Sequence, residues 1–316
     1  MVACGDGSVL GFGTGGPGNH VLSDWQTAVT SLRNATAQAL RSAGVAARRI
    51  DVAVASSAGV GANGEGREAV ESLLAEIVPQ SAMVRAVGDM VAALWGALST
   101  PVGVVVAAGT GSVAFGRDAL GHTCQVGGWG HLFGDEGSAY DIATHALRAM
   151  ARAADGRGPP TDLTAILPAA LDERTPPAAA LRIYIERLGR EAIAALAVHV
   201  AAAATAGDVV AATILQNAGG ELGLLAVTVL RALALLDAPA TVSFAGSVFG
   251  AGCYVYDPFA RVVRNAAPQA RIEAPLLPPL GGAFRLGLDA LAVAQDDCCI
   301  ERLRSALGTM LEGTDA

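Results

Sequence analysis

The segment Gly127–Ala139 carries the densest set of residues suited to chemistry, Gly-Gly-Trp-Gly-His-Leu-Phe-Gly-Asp-Glu-Gly-Ser-Ala. Its glycines let the backbone approach a ligand, Trp129 offers an aromatic face, and Asp135 and Glu136 offer carboxylate acceptors at a helix start. This combination suits a polyhydroxylated ligand. A glycine-rich turn in which Asp135 caps a helix explains the same residues equally well. A hydrogen-bonded His131 explains that residue better than metal ligation does.

A second candidate is Asp89, which follows the predicted strand Met83–Val87 and Gly88. The pattern places it at a helix N-terminus, at the carboxyl edge of a parallel sheet, where ligands bind and a general base can reach a substrate hydroxyl. The competing explanation is a plain N-cap, and the local pattern alone favours it.

The elements that must position these residues alternate along the first third of the chain. An Asp-Gly turn between apolar runs predicts a hairpin, and a helix then runs from its N-cap Ser23 to Gly44. Strands and helices alternate from there to the apolar strand Val102–Ala108. This crossover pattern predicts an α/β fold.

A second domain is expected to begin at the glycine turn 109–111, which lies between two predicted strands. Asp135 or Ser138 opens its first long helix, and the proline-rich stretch Gly156–Pro177 is predicted to be a surface insertion. Further helices lead to the strands Thr241–Ala245 and Arg271–Ala274. The predicted domains are 1–108, joined by the C-terminal helix 298–316, and 109–297.

The composition removes several classes of function. All 21 basic residues are arginine, so P-loop binding, Schiff-base chemistry and a lysine base are excluded. A net charge of −8 without basic runs argues against nucleic acid. Five unpaired-looking cysteines argue against a disulfide framework or zinc knuckle. The uncharged stretches 90–116 and 192–207 do not resemble membrane spans, and no secretory signal is visible, so the cytoplasm is expected.

The motif Gly-Gly-Trp-Gly-His-x-x-Gly-Asp-Glu-Gly-Ser-Ala, preceded by Ala108–Ser112, resembles the N-acetylglucosamine kinase branch of the BadF/BadG/BcrA/BcrD ATPase family. The segments 16–19 and 246–249 match in the same order. The resemblance covers essentially the whole chain. It implies two RNase-H-like, actin-like ATPase domains with a cleft between them, ATP and Mg²⁺ as cofactors, and an amino sugar as partner. A homodimer is compatible with it.

The resemblance also assigns roles to individual positions. It makes Asp89 the general base on the hydroxyl that attacks the γ-phosphate. Sugar-binding positions of the family match Asn19, Ser57, Gly59, Trp129, Gly130 and Asp135. ATP-side positions match Thr110, Gly111, Gly207, Gly246 and Ser247. No metal ligand is assigned, and turn geometry alone explains Gly207 as well as ligand binding does.

The chain departs from the family at its N-terminus. The family begins with a strand followed by Asp-Gly-Gly-[GT]-x-[ST], the first phosphate loop, whereas Gly5-Asp6-Gly7 fits the next hairpin turn. We therefore expect strands 9–12 and 52–55 to face a gap in the first sheet. Either the true start lies upstream, the explanation we favour, or the chain is a degenerate kinase that binds sugar without transferring phosphate.

The leading hypothesis is an ATP-dependent N-acetylglucosamine kinase. Glucosamine or another hexosamine is an alternative substrate, and a sugar-binding homologue without turnover is an alternative class. The iron–sulfur activator ATPase of 2-hydroxyacyl-CoA dehydratases is a remote alternative, because the adjacent Cys298 and Cys299 are poorly placed to ligate a cluster at a dimer interface.

Overall fold

The structure, a computed structural model, describes residues 1–16, 24–46, 49–61, 64–78 and 82–312. It divides into two compact units, Met1–Pro101 with Pro275–Ala316, and Val102–Ala274. This division differs from the predicted boundaries in two places. Strand 103–108, which we assigned to the first domain, belongs to the second unit because both its neighbours in the sheet do. Residues 275–297, assigned to the second domain, belong to the first unit because their helix packs on elements of that unit.

The helices and strands follow one another in a mixed α/β order. The N-terminal part contains β1 (Val2–Ala3), β2 (Val9–Gly11), α1 (Trp25–Ala43), β3 (Val52–Ser56), α2 (Arg67–Ile77), β4 (Met83–Val87) and α3 (Asp89–Ala97). The second unit contains β5 (Gly103–Ala108), β6 (Ser112–Arg117), β7 (Thr123–Gly127), α4 (Ala139–Ala154), α5 (Leu163–Ala170), α6 (Pro176–Glu186), α7 (Arg190–Ala194), α8 (Ala197–Thr205), α9 (Val209–Ala232), β8 (Thr241–Ala245), α10 (Cys253–Ala266) and β9 (Arg271–Glu273). The chain returns to the first unit with α11 (Pro279–Ala290) and α12 (Asp297–Glu312).

The first unit contains two separate two-stranded sheets. Strands β1 and β2 are antiparallel, whereas β3 and β4 are parallel and in register from Val52 opposite Met83 to Ser56 opposite Val87. Within the described residues no strand joins the two pairs, and β3 has a ladder partner, β4, on one edge. In consequence β3 is only half-buried.

Helix α1 has an aspartate cap at its N-terminus and a left-handed glycine at its C-terminus. Asp24, one residue after the predicted cap Ser23, caps the helix by accepting a hydrogen bond from the Thr27 N–H at 3.0 Å. The Thr27 hydroxyl and N–H together lower the pKa of Asp24. Ser23 itself lies outside the described residues. Gly44 ends the helix in the left-handed conformation, as predicted.

Helix α11 is attached to α3 through a buried arginine. Arg285 is 5% exposed, and its guanidinium donates to the backbone oxygens of Trp95, Leu98 and Ser99 at the end of α3. Its Nε donates to the side chain of Gln295 at 2.8 Å. Burial lowers the pKa of Arg285. The cation therefore satisfies helix-terminal carbonyls that would otherwise have no donor.

The second unit is built on one continuous sheet with the strand order β7-β6-β5-β8-β9. Strand β5 pairs antiparallel with β6 and parallel with β8, and Val104, Val105 and Val106 are completely buried. The proline-rich stretch predicted to be a surface insertion instead contains α5, whose Leu163 and Leu167 are fully buried. Helix α10 was also not predicted. Both helices carry an internal proline. Because proline disfavours a helix interior, the sequence pattern does not predict a helix at either place.

By length and composition, α9 is apolar enough to cross a membrane. Its buried residues, however, belong to the hydrophobic core of the second unit, where Leu215, Leu222, Ala226 and Leu230 pack. The core helix of a globular unit passes the same test, so this helix is weak evidence for a span.

Candidate active site

In the second unit, the turn after β5 and the Gly127–Ala139 segment are joined by backbone hydrogen bonds. The Gly109 N–H donates to the Gly111 oxygen at 2.9 Å, which closes the turn. The Ala139 N–H donates to the Gly109 oxygen at 2.8 Å, and the Ser112 hydroxyl donates to the Glu136 oxygen at 2.7 Å. The predicted phosphate-side turn therefore lies directly against the predicted sugar-side segment.

Asp135 is the polar centre of this assembly. It is only 3% exposed and adopts the left-handed conformation with φ 64°, which is uncommon for a residue other than glycine. Its Oδ1 accepts a hydrogen bond from the Ser112 N–H at 3.2 Å, and its Oδ2 lies 3.2 Å from Nη2 of Arg190. Burying a carboxylate is costly unless such partners satisfy its oxygens.

Helix α4 is capped by Ser138, not by Asp135. The Ser138 hydroxyl accepts from the Asp141 N–H at 3.2 Å, while the Asp141 carboxylate accepts from the Gly137 N–H at 3.0 Å. This reciprocal pair satisfies the first turn of the helix. The alternative in which Asp135 serves as the helix cap is therefore wrong, and its carboxylate is engaged elsewhere.

Arg190 is a residue of this site that sequence reasoning missed. It begins α7, and its guanidinium reaches both Asp135 and the turn after β5: a Cβ built on Gly111 would lie 2.5 Å from Arg190 Nη2. The one available signal was a charged Arg-Glu pair at the head of the apolar, alanine-rich stretch 192–204. Nothing in the sequence tied that pair to Asp135.

The tip of the same segment presents apolar side chains to solvent. Trp129 is 77% exposed, and its neighbours Leu132 and Phe133 are exposed to a similar degree. Gly130 has no atom within 4 Å of the position of a Cβ, so the backbone at this residue is open to a ligand. An exposed aromatic face next to open backbone can stack on the apolar face of a sugar ring.

His131 packs against the aromatic ring of Tyr140. Its imidazole lies edge-on to Tyr140 with the ring centroids 4.9 Å apart. Within the described residues no group of three or more His, Cys, Asp or Glu side chains could hold a metal ion. A Mg²⁺ ion held by these side chains alone therefore does not fit the described part of the chain.

A second glycine turn lies beside the turn after β5. Gly246 follows β8 with φ 101°, and a Cβ built on it would lie 2.2 Å from the Ala108 oxygen at the end of β5. Ser247, which is exposed, then starts a 3₁₀ turn, Ser247–Ala251. The carboxyl ends of β5 and β8 thus present two predicted ATP-side turns next to each other.

Gly207 is less closely tied to these turns. A Cβ built on it would meet no atom within 4 Å. The adjacent Asp208 caps α9 through the Ala211 N–H and accepts hydrogen bonds from the Thr161 hydroxyl and the Asp162 N–H. Burial raises the pKa of Asp208, but these hydrogen bonds outweigh it and the net pKa is lowered. The contacts of this corner are those of a helix N-terminus.

The first unit brings together three other predicted residues. The Ser57 N–H donates to the Val87 oxygen at 3.0 Å, and the Gly59 N–H donates to the Ser57 hydroxyl at 3.2 Å. A Cβ on Gly88 would lie 3.0 Å from the Val60 oxygen, so this loop runs beside the start of α3, where Asp89 is exposed. Asn19 lies outside the described residues.

Asp89 is not the N-cap that the local pattern favoured. The cap position is Gly88, and Asp89 is the first helical residue. Its Oδ1 accepts a hydrogen bond from the Met90 N–H at 2.9 Å, and the carboxylate otherwise faces solvent. An exposed carboxylate at a helix N-terminus is accessible to a substrate hydroxyl.

Beside the Ser57 loop, the first unit contains an open cavity of about 230 Å³. It lies between α1, the end of β3 and α2. Its lining consists of Gly15, Gly16, Trp25, Ala28, Ser31, Leu32, Ala35, Ala55, Ser56, Ser57, Val70 and Leu73. The polar part of the lining comes from glycine and serine residues, including Ser31 on α1, and the apolar part comes mainly from α1 and α2.

The mixed α/β order of the elements and the likeness to the solved sugar-kinase structures given below define the class, a protein of the actin-like ATPase fold. The sequence matches the BadF/BadG/BcrA/BcrD ATPase family over residues 2–284, and the chain belongs to that family. The family resemblance predicted from the sequence is thereby confirmed.

Two curated relatives carry kinase names. The chain is 33% identical over 186 residues to an N-acetylmuramic acid/N-acetylglucosamine kinase of Clostridium acetobutylicum, a match that covers 59% of this chain and 61% of that protein. It is 37% identical over 99 residues to an N-acetyl-D-glucosamine kinase of Dictyostelium discoideum, covering 31% of each. The matched region thus spans about three fifths of the first relative and less than a third of the second.

Solved structures show the same fold. A candidate N-acetylglucosamine kinase from Chromobacterium violaceum superposes with a TM-score of 0.66 at 25% identity, covering 88% of this chain and 90% of that one. A glucokinase of the ROK family from Streptomyces griseus, in complex with glucose and AMPPNP, gives 0.54 at 16% identity, covering 86% and 89%. At that identity the second likeness supports the fold alone.

Proposed function

We propose that the protein transfers the γ-phosphoryl group of ATP to a hydroxyl of an N-acetylated amino sugar. The observation that carries this proposal is the packing of the Asp135 segment on the turn after β5. A predicted sugar-side carboxylate and a predicted phosphate-side turn are adjacent in one unit, which is what direct transfer between two substrates requires.

Asp89 is the proposed general base. It takes the proton of the attacking hydroxyl, whose oxygen forms the new bond to the γ-phosphorus while the bond to the β,γ-bridging oxygen breaks and ADP leaves. Its exposure at the start of α3 supports this role.

The other predicted site residues are proposed to bind the two substrates, ATP and the sugar. Backbone N–H groups at Gly111 and the Thr110 hydroxyl are proposed to meet phosphate oxygens. Gly246 and Ser247, with Gly207, are proposed on the adenosine side. Trp129 and Gly130 are proposed to stack on the sugar, Asp135 to line its pocket, and Ser57, Gly59 and Asn19 to bind its polar groups.

Mg²⁺ enters this proposal only as an ion carried by the ATP phosphates. Mg²⁺ commonly keeps its waters and binds through substrate phosphates, and the described side chains form no cluster for it. No step above depends on a protein-held ion.

N-acetylglucosamine is the proposed substrate, because both curated relatives bear its name. A cytoplasmic location, where the ATP that the reaction requires is available, and a small-molecule partner are also part of the proposal. We also propose a homodimer, which a measurement of the oligomeric state in solution would test.

The deciding experiment measures ADP release with N-acetylglucosamine, N-acetylmuramic acid, glucosamine and glucose in parallel, together with sugar binding by calorimetry. We expect turnover with the N-acetylated sugars. Asp89→Asn should retain sugar binding and lose at least about 10²-fold in kcat. Glu68→Gln, at an exposed position of α2, is the matched control. Unchanged kcat in Asp89→Asn would remove Asp89 as the base, and binding without ADP release in the wild type would indicate a sugar-binding protein.

A further inference from the structure

We propose that Arg190 is a positioning residue that holds Asp135 against the turn after β5 and so fixes the sugar-side carboxylate relative to the phosphate-side turn. This inference rests on the proposed function, because it assigns Arg190 a part in sugar binding. It concerns only residues of the second unit.

The first step is the cost of the Asp135 conformation. The residue combines a left-handed backbone, φ 64°, with a carboxylate that is almost completely buried. Each of these features is unfavourable for an aspartate without compensating contacts. The Ser112 N–H, at 3.2 Å from Oδ1, supplies one contact and the Arg190 guanidinium supplies the only charge partner within 4 Å among the described residues.

The second step is that the same guanidinium borders the turn. A Cβ on Gly111 would lie 2.5 Å from Arg190 Nη2 and 2.9 Å from Asp135 Oδ1. A residue with a side chain at position 111 would thus displace the ion pair. The ion pair and the turn are packed as one body, so a shift of Arg190 is transmitted to both.

The third step concerns the poor hydrogen-bond alignment between Asp135 and Arg190. Asp135 Oδ2 and Arg190 Nε are both buried and have no hydrogen-bond partner within the described residues, although Oδ2 lies 3.2 Å from Nη2. The contact is therefore an ion pair with poorly aligned donors. A guanidinium can pair with a carboxylate through two parallel hydrogen bonds, and catalytic-site geometry commonly tightens when the ligand binds. The pair has unused donors with which to do so.

Lysine cannot reproduce this geometry. Its ammonium group is a point charge without the planar fork of arginine, so Arg190→Lys keeps the charge opposite Asp135 but not the two-pronged pairing. That difference separates a positioning role from a requirement for positive charge alone.

The experiment measures sugar Kd by calorimetry, KM and kcat by ADP release, and Tm, all in the full chain. The variants are Arg190→Ala, Arg190→Lys, Asp135→Asn and the double variant Arg190→Ala/Asp135→Asn. Arg174→Ala, at an exposed position, is the control. We expect Arg190→Ala to raise sugar Kd and KM by about 10- to 100-fold, with Arg190→Lys in between and the double variant no worse than the more affected single variant.

Each outcome decides the proposal. A sugar Kd within about twofold of the wild type in folded Arg190→Ala, or multiplicative effects in the double variant, overturns it. If Arg190→Ala does not fold, Arg190→Lys with an unchanged Tm and an unchanged sugar Kd overturns it as well. Wild-type sugar binding without ADP release defeats the proposed function but leaves this test intact through Kd. Failure of the wild type to bind any of the sugars defeats both.

Discussion

Strand β5 of the second unit and strand β3 of the first each pair with one parallel strand but differ in their other neighbours. Strand β5 lies between the antiparallel β6 and the parallel β8, and its valines are completely buried. Among the residues that the structure describes, strand β3 pairs only with the parallel β4, and it is half-buried. The valines of β5, which is paired on both edges, are thus fully buried, whereas those of β3, which is paired on one edge, are not.

The difference also concerns the turns. In the second unit, β5 leads directly into the glycine turn that meets the Asp135 segment. In the first unit, a hairpin and a parallel pair occur in the described residues without a strand that joins them and without a turn equivalent to that after β5. The proposed phosphate-side residues Thr110, Gly111, Gly246 and Ser247 lie on the second unit, and Asp89 and the Ser57 loop lie on the first.

The largest expected effect is on amide exchange. Backbone groups on the free edge of β3 can open locally, whereas those of β5 require the whole sheet to open. We expect the amides of Val104–Val106 to exchange at least about 10³-fold more slowly than those of Val52–Val54. Hydrogen exchange with peptide resolution measures both in one sample, and β8 amides serve as an internal control. Equal protection of β3 and β5 would break the comparison.

An intermediate effect is expected for Arg285→Leu. The substitution leaves the backbone oxygens of Trp95, Leu98 and Ser99 without their donor, so we expect a loss of about 2–4 kcal/mol in the stability of the first unit. Exchange in β5 should not change. Denaturant unfolding combined with hydrogen exchange measures both.

The control for Arg285→Leu is Arg302→Ala, which removes an exposed ion pair with Asp6 in the same unit. It should leave the unfolding midpoint of that unit unchanged. Faster exchange throughout β5 in Arg285→Leu would show that the two units unfold together and would contradict the comparison.

The smallest effect is a pH-dependent one in the second unit. The folded pKa of Asp208 is lowered, so its contribution to stability is fully present above the unfolded value near about 3.9 and is lost as pH falls through the folded pKa. Asp208→Ala should cost about 1–2 kcal/mol at pH 7, and the difference in stability from the wild type should narrow progressively as the pH falls below about 4. A difference that does not narrow as the pH falls would contradict the assignment. Asp237→Ala serves as the control.

The sequence pattern correctly predicted those helices and strands whose ends are determined by residues within or next to the element. Strands β4 and β8 and the end of α1 at Gly44 lie where the sequence placed them. Helices α5 and α10 were missed because Pro168 and Pro258 interrupt a helical pattern that tertiary packing nevertheless supports.

The candidate site divides in the same way. The glycine turns and the Asp135 segment are continuous in sequence, so their pattern is readable and a resemblance can be recognised. The pairing of Asp135 with Arg190 joins residues 55 positions apart and depends on where α7 packs. No periodicity records such a pairing. The sequence offers both Asp135 and Ser138 as the cap of α4, and only the hydrogen bonds distinguish them.

The packing of Gly246 on the Ala108 oxygen has a consequence for mutational tolerance. In a saturation library scored for folding, position 246 should accept essentially no side chain, since even a methyl group would overlap the end of β5. Gly250, four residues later, has open space around it and an ordinary backbone conformation, so it should accept many residues. Two glycines in neighbouring turns, indistinguishable as letters, would then lie at opposite ends of the fitness scale.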